Sequence, residues 1–424
     1  MRCINFLDRA QEEFMLTPDK IRELLQRISP VLESSGLEVP HIHFELVGKN
    51  SLSAIAAYSG MPTRFGHWSF GKAYHRMKTE HDYRLTQIYE LVINSQPAYA
   101  FLDRETSPAQ ALLILVHVAA HVDFFLHNRL FFATAHDMVA QSAWHQRQFE
   151  SWRRSHGKEA VETLIDAAMI LMDFTGESTL AGASRSRNDD LLGYVAVHAP
   201  SLEPWEREAL MLLRAEARYF WPQQLTKISN EGYATFWHLR ILRQMPLTAG
   251  EIWDVARLHT KVVQTTSPQL NPYRLGLAIY QDLERSQGLE AVWQARDQFD
   301  DAGLVRAGLH EDMTESAGLA LFKSTGAEPE PHGAPFATMK TQLLCDLENA
   351  GIPHLTVNPD ASRSDLVLVH HHNGRDLDFA ILPYAMEVVA QRLWRGRVLL
   401  HTIQNRIART VSHDGSRWTD SATG

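Results

Sequence analysis

The sequence predicts a mostly helical protein followed by a small α+β module, and three observations carry that reading. Apolar residues recur at helical spacing through most of residues 72–323. Beyond residue 335 the pattern changes to short strand-like runs. Between them, residues 324–335 are crowded with proline and glycine and fit neither pattern, which divides the chain into a 1–325 helical core and a 336–424 module.

In order, residues 8–35 read as amphipathic helix. Thr17-Pro18 supplies a start inside it, with proline in the first turn and Ile21, Leu24, Leu25 and Ile28 at helical spacing. Residues 39–47 alternate like a short strand. Residues 60–71 contain Gly60, Gly66 and Gly71 with several aromatics, and read as a loop whose large side chains need a surface to pack on. Helices are predicted at 72–94, 107–128, 134–156, 158–173, 203–221, 224–244, 248–264 and 273–286. Ser107 and Pro108 give the second of these a hydroxyl N-cap and a proline first turn. In the C-terminal module, 354–358 and 365–370 read as strands, Asn373-Gly374 as a turn and 378–382 as a further pairing segment. A helix at 383–394 and a last strand at 398–402 complete it, and no internal repeat is present.

Composition narrows the function classes. Apolar residues make up 45% and charged residues 21%, which are ordinary globular values. A net charge of -9 argues against a nucleic-acid binder, which concentrates basic residues on one face. Only Cys3 and Cys345 occur, so neither a disulfide framework nor a cysteine zinc knuckle is available. The N-terminus turns charged before an apolar leader core can form, and the apolar run 111–120 is short for a membrane span and holds a histidine. A soluble cytoplasmic protein without a membrane span is the expectation.

Of 22 histidines, His117 and His121 stand out. Four residues apart on a helix, both rings can reach one metal ion. Glu231, on a later helix, supplies a third ligand and leaves a fourth tetrahedral position open, the donor set of a zinc or other divalent-metal hydrolase. Position 118, where H-E-x-x-H enzymes carry the general-base glutamate, is Val118. A metal-free cluster of hydrogen-bonded polar residues fits the same spacing.

A replacement for the missing base must come from elsewhere. Glu90, read as lying in an apolar helix, is the first choice, with Glu80, Asp123, Glu45 and Glu216 in reserve. A structural partner role for Glu90 is equally open. His238 lies two turns beyond Glu231, about 10 Å along the helix, so it reads as a catalytic or substrate-facing neighbour rather than a ligand. His259 is a further candidate neighbour. Arg64, His67 and Trp68 are candidate substrate contacts, with His67 and Trp68 expected to be buried near the metal. A di-iron carboxylate site fails, because Glu38-Val-Pro-His41 is the only Glu-x-x-His and it runs across a proline.

Several of these residues also carry a family resemblance. Arg64 to Gly71, Tyr89 to Asn94, His117 to Phe125, Arg214 to Phe220, Lys227 to His238 and Asn271 to Gly276 resemble, in order, motifs of the stage V sporulation protein R (SpoVR) family. Leu393 to Val398 extends the likeness into the C-terminal module. Glu231 to Phe236 is similar to the gluzincin helix that donates a third zinc ligand, which implies a zincin-like core. The SpoVR resemblance implies a process, the peptidoglycan cortex of spores or related cell-wall physiology, without a reaction. Two functions follow as expectations. One is a metal-dependent hydrolase of a peptide or peptidoglycan-related substrate. The other is a non-catalytic regulator of cell-wall hydrolases that acts through protein contacts.

Overall fold

The computed structural model describes residues 15–74, 90–175, 189–264, 270–319, 321–325, 328–332, 335–359 and 364–422. The architecture is mostly helical with a small C-terminal α+β module, as the periodicity predicts. The chain crosses five times between two compact units, one formed by 1–64, 68–139 and 226–341, the other by 65–67, 140–225 and 342–424.

The first unit opens with α1 (Pro18–Ser34), whose Thr17 side chain accepts from the Lys20 amide and whose Ile21, Leu24, Ile28 and Leu32 are buried at helical spacing. Strand β1 (Ile42–Val47), helix α2 (Lys49–Ala57) and strands β2 (Glu90–Ile93) and β3 (Ala98–Asp103) follow. β3 lies between the other two, parallel to β1 and antiparallel to β2. Helix α3 (Pro108–His127) starts where Ser107 and Pro108 direct it, the Ser107 hydroxyl accepting from the Gln110 amide. Every residue from Ala111 to Phe125 is buried, so this helix is the hub of the unit. Its 20 residues are long and apolar enough to cross a membrane by composition, more than the run 111–120 suggests, but 83% of its apolar window is buried inside the fold. Packing on all sides explains that hydropathy.

Helices α4 (Met138–His156), α5 (Lys158–Met172), α6 (Leu191–His198) and α7 (Pro204–Leu225) belong to the second unit. The chain then returns to the first with α8 (Lys227–Gln244), α9 (Ala249–Val263), α10 (Pro272–Gln287), α11 (Leu289–Gln298) and α12 (Asp301–Gly308). Thr226 gives α8 no side-chain cap. Asp301 fills that role, accepting from the amides of Ile228 at 3.0 Å and Ser229 at 2.8 Å. Burial, against these hydrogen bonds, pushes the Asp301 carboxyl up to about 7. Helices α8 and α10 touch backbone to backbone at Gly232 and Gly276, where a Cβ on either residue would collide with the facing helix.

Strands β4 (Leu321–Thr325) and β5 (Glu328–His332) pair antiparallel, β4 starting in the last residues of the region read as helical and β5 lying in the stretch read as a linker. Helix α13 (Phe336–Leu347) leads to β6 (Leu355–Val357), β7 (Leu366–His370), helix α14 (Leu382–Val388), β8 (Val398–Gln404), β9 (Ile407–His413) and β10 (Trp418–Ala422). The sheet order is β10-β9-β8-β7-β6, with only β7 and β8 parallel. Residues 378–382 form a turn into α14 rather than a strand, and two strands follow the one read as last.

Candidate metal centre

α3 and α8 bring His117, His121 and Glu231 together, with one ligand atom of each lying within 4.8 Å of the others. Glu231 Oε2 is 3.3 Å from His117 Nε2 and 3.4 Å from His121 Nε2. A charge-assisted hydrogen bond is shorter, roughly 2.7–2.9 Å. Ligands roughly 2.0–2.1 Å from a shared tetrahedral metal would instead stand roughly 3.3–3.4 Å apart. The donor set and its spacing therefore fit a divalent ion.

The surrounding contacts orient the rings for that use. Asn230 Oδ1 is a carbonyl oxygen and can only accept, so His121 Nδ1 carries the hydrogen of their 2.8 Å bond and its Nε2 lone pair faces Glu231. His117 Nδ1 meets His238 Nδ1 at 3.0 Å, and His238 Nε2 meets His259 Nδ1 at 3.1 Å. If His117 donates to His238 and His238 to His259, all three rings stay neutral and the Nε2 lone pair of His117 points inward. The lowered pKa values agree with this. His117 is held down by burial and then by His121. His238, fully buried, is pushed much lower by burial, then by His117 and His259.

In the metal-free fold burial works against the charge on Glu231, but His121 and then the close contacts with both imidazoles win, and its carboxyl sits well below the usual range. His121 is raised because Glu231, aided by Asn230 and Glu90, outweighs its burial. Burial and then the Glu231 charge push Glu90 up to about 7, against a pull from His121. Glu90 is thus coupled to the cluster, although it sits on strand β2 and not on the helix read over 72–94. The short apolar run Glu90–Ile93 has no length with which to declare a period.

The other readings divide. Asp123 is fully buried and committed to Tyr233 and Arg296, so it is not a free base. Glu45 is exposed on β1, Glu216 pairs with His145 at 2.9 Å in the second unit, and Glu80 lies outside the described residues. Arg64 is buried, 3.2 Å from the Ser59 hydroxyl and over the Phe70 ring. His67 is buried in the second unit, 3.5 Å from Glu162 and 3.3 Å from Asp166. Trp68 is 58% exposed, against the expectation that it would be buried.

Sequence reasoning missed Tyr273 and Asn230. Tyr273 stands in the first turn of α10 and stacks on His117 with ring centroids 6.2 Å apart. Glu231, then burial and Glu90, push its hydroxyl well above the ordinary tyrosine range. The available signal was the Asn271-Pro272 helix start, which places Tyr273 at a fixed point of the first turn.

Comparison with known proteins supports the grouping of these motifs. The family model described as SpoVR like protein matches residues 16–189 and 179–319. The chain belongs to the SpoVR-like family. His117, His121, Glu231, His238 and Tyr273 all fall inside the matched region, and the C-terminal sheet lies beyond it. The chain is also similar to the Uncharacterized protein YcgB of Escherichia coli (strain K12), 29% identical over 306 residues. That alignment covers 58% of this chain and 59% of the relative's length. No solved structure matches.

Proposed function

We propose that this SpoVR-like chain holds a divalent metal at His117, His121 and Glu231 and works as a metal-dependent hydrolase. The observation that carries the reading is the convergence of two imidazole nitrogens and one carboxylate oxygen at ligand-like spacing. Two imidazoles and one carboxylate are a preferred zinc set, so zinc is our choice of metal. When bound, it would supply Lewis acidity and a more acidic water. Glu90 is assigned to accept and hand on the proton, in place of the base missing at Val118, because its charge is felt by Glu231 and His121. His238 keeps His117 in the ligating tautomer.

The substrate class we favour is a peptide or peptidoglycan-related amide, in the cell-wall or sporulation physiology that the family's name implies, in the cytoplasm. Arg64 and Trp68 are proposed to contact it, while His67, turned to Glu162 and Asp166, shapes the loop. One observation favours a second reading. Val118 is fully buried where a base would stand, which suits a regulator of cell-wall hydrolases on an inherited zincin-like core.

Elemental analysis of the purified chain and of His117→Ala tests the metal, with stoichiometric zinc expected only in the wild type. Hydrolysis of peptide and muropeptide mixtures tests the chemistry. Glu90→Gln should lose on the order of 10²–10⁴ in rate with metal content unchanged. Wild-type protein that holds metal yet cleaves nothing would give the regulator reading precedence.

A further inference from the structure

Asp123 and Tyr233 each stand two residues beyond a proposed ligand, His121 on α3 and Glu231 on α8. Two residues turn a helix by about 200°, so each pair points to opposite flanks of its own helix. The contact between α3 and α8 is therefore bracketed. On one flank His117 and His121 meet Glu231; on the other the Tyr233 hydroxyl donates to Asp123 Oδ2 at 2.6 Å. Arg296, from α11, donates to the same oxygen at 2.8 Å and is itself held by Asp297 at 2.7 Å. The other Asp123 oxygen accepts from the Glu38 amide at 2.8 Å. Asp123 and Tyr233 are fully buried and Arg296 nearly so.

Resting on the metal-centre reading, we propose that Tyr233, Asp123 and Arg296 are positioning residues that fix the rotation of α3 against α8. They thereby set the distance between His121 and Glu231. A helix pair held at one flank can roll about that contact. Held at both flanks, it cannot open the ligand gap without stretching a short, buried, charge-assisted hydrogen bond. The clamp touches neither metal nor substrate and acts only through ligand spacing.

The test compares full-length wild type, Tyr233→Phe and Tyr280→Phe, each titrated with Co²⁺ and followed by visible absorption. Tyr280→Phe removes an equally buried hydroxyl, 3.2 Å from Ser229, at the crossing that Gly232 and Gly276 already fix. Tyr233→Phe should weaken Co²⁺ binding roughly tenfold or more and move the absorption bands, as loss of outer support does in metal sites. Tyr280→Phe should keep wild-type affinity and bands. Wild-type affinity and bands in Tyr233→Phe, whatever its thermal stability, would overturn the clamp. If Tyr233→Phe does not fold, Arg296→Lys, which keeps the charge but loses the planar fork, carries the same expectations. Should wild type take up no Co²⁺, the metal reading fails by itself. The clamp is then judged on the imidazole ¹⁵N signals of His117 and His121 in the metal-free protein. These must move in Tyr233→Phe and stay in Tyr280→Phe; unmoved signals reject it.

Discussion

Two histidine groups, one in each compact unit, show what separates a candidate site from a histidine-rich surface. In the first unit His117, His121, His238 and His259 share a line of close polar contacts that ends on Glu231. In the second, His370 bonds Thr402 at 2.8 Å, His371 bonds Thr356 at 2.9 Å and His372 bonds Asp376 at 2.8 Å. His354 stacks on His371 with centroids 4.6 Å apart and lies 3.8 Å from Asp189. His370, His371 and His372 each have a local hydrogen-bond partner, and among the described residues only His117, His121 and Glu231 gather ligand atoms within 4.8 Å. The cause is geometric. Helical i and i+4 positions aim two rings at one point, whereas successive residues of an extended segment alternate faces. His370, at the end of β7, is buried.

The largest expected effect breaks the comparison outright. His117→Ala should empty the protein of metal in elemental analysis, while His370→Ala should leave the content unchanged. Equal loss in both variants would mean that the second group also binds metal and that the convergence criterion fails. Next in size is Asn230→Ala, which frees the His121 tautomer. Chelator competition should then show metal affinity weaker by roughly 10–100-fold. Thr402→Ala, the matching change beside His370, should leave that affinity alone.

A smaller effect sharpens the comparison through pH, because the two groups respond with opposite sign. Glu90 in the metal-free fold is raised from 4.5 to about 7 by burial and Glu231. Its contribution is fully present below about 4.5 and is lost as pH rises to about 7. Glu90→Gln should therefore match wild type in melting temperature near pH 4.5 and exceed it increasingly up to pH 7. His370 is lowered from 6.5 to about 4 by burial and then His372. Its contribution is full above 6.5 and is lost as pH falls toward 4. His370→Gln should accordingly reduce the loss of stability on acidification, with no change in the neutral-to-alkaline range. Melting curves of the two variants against wild type, across pH 4 to 8, read both signs in one series.

Helices with explicit starts were legible in the sequence. Thr17-Pro18 and Ser107-Pro108 mark α1 and α3, and the long periodic segments of α7 to α10 sit close to their predicted bounds. Alternating short strands such as β1 and β7 were legible too, but other short elements were not. β2, β3 and the helices Leu191–His198 and Asp301–Gly308 offer too few residues for a period to emerge against their apolar surroundings. At the site, the i and i+4 histidines and Glu231 could be read because helix geometry alone brings the rings together. Asn230 and Tyr273 could not, since their roles depend on how α3, α8 and α10 cross. Glu90 illustrates both sides: its helical assignment was wrong, yet its coupling to Glu231 agrees with an unpaired carboxylate in an apolar run.

The glycine contact between α8 and α10 bears on any attempt to redesign the proposed metal centre. Gly232 follows Glu231 directly, and its backbone rests on Gly276 with no side chain between them. Repacking has nothing to trim at that point, and even alanine at either position would wedge the helices apart. A designer wanting to admit a larger ion cannot tune the gap by swapping neighbouring core residues on that side. The adjustable part is the reach of the ligand itself, such as aspartate in place of Glu231. The crossing thus acts as a machined stop, and changes of ion preference must be written in ligand length rather than in helix spacing.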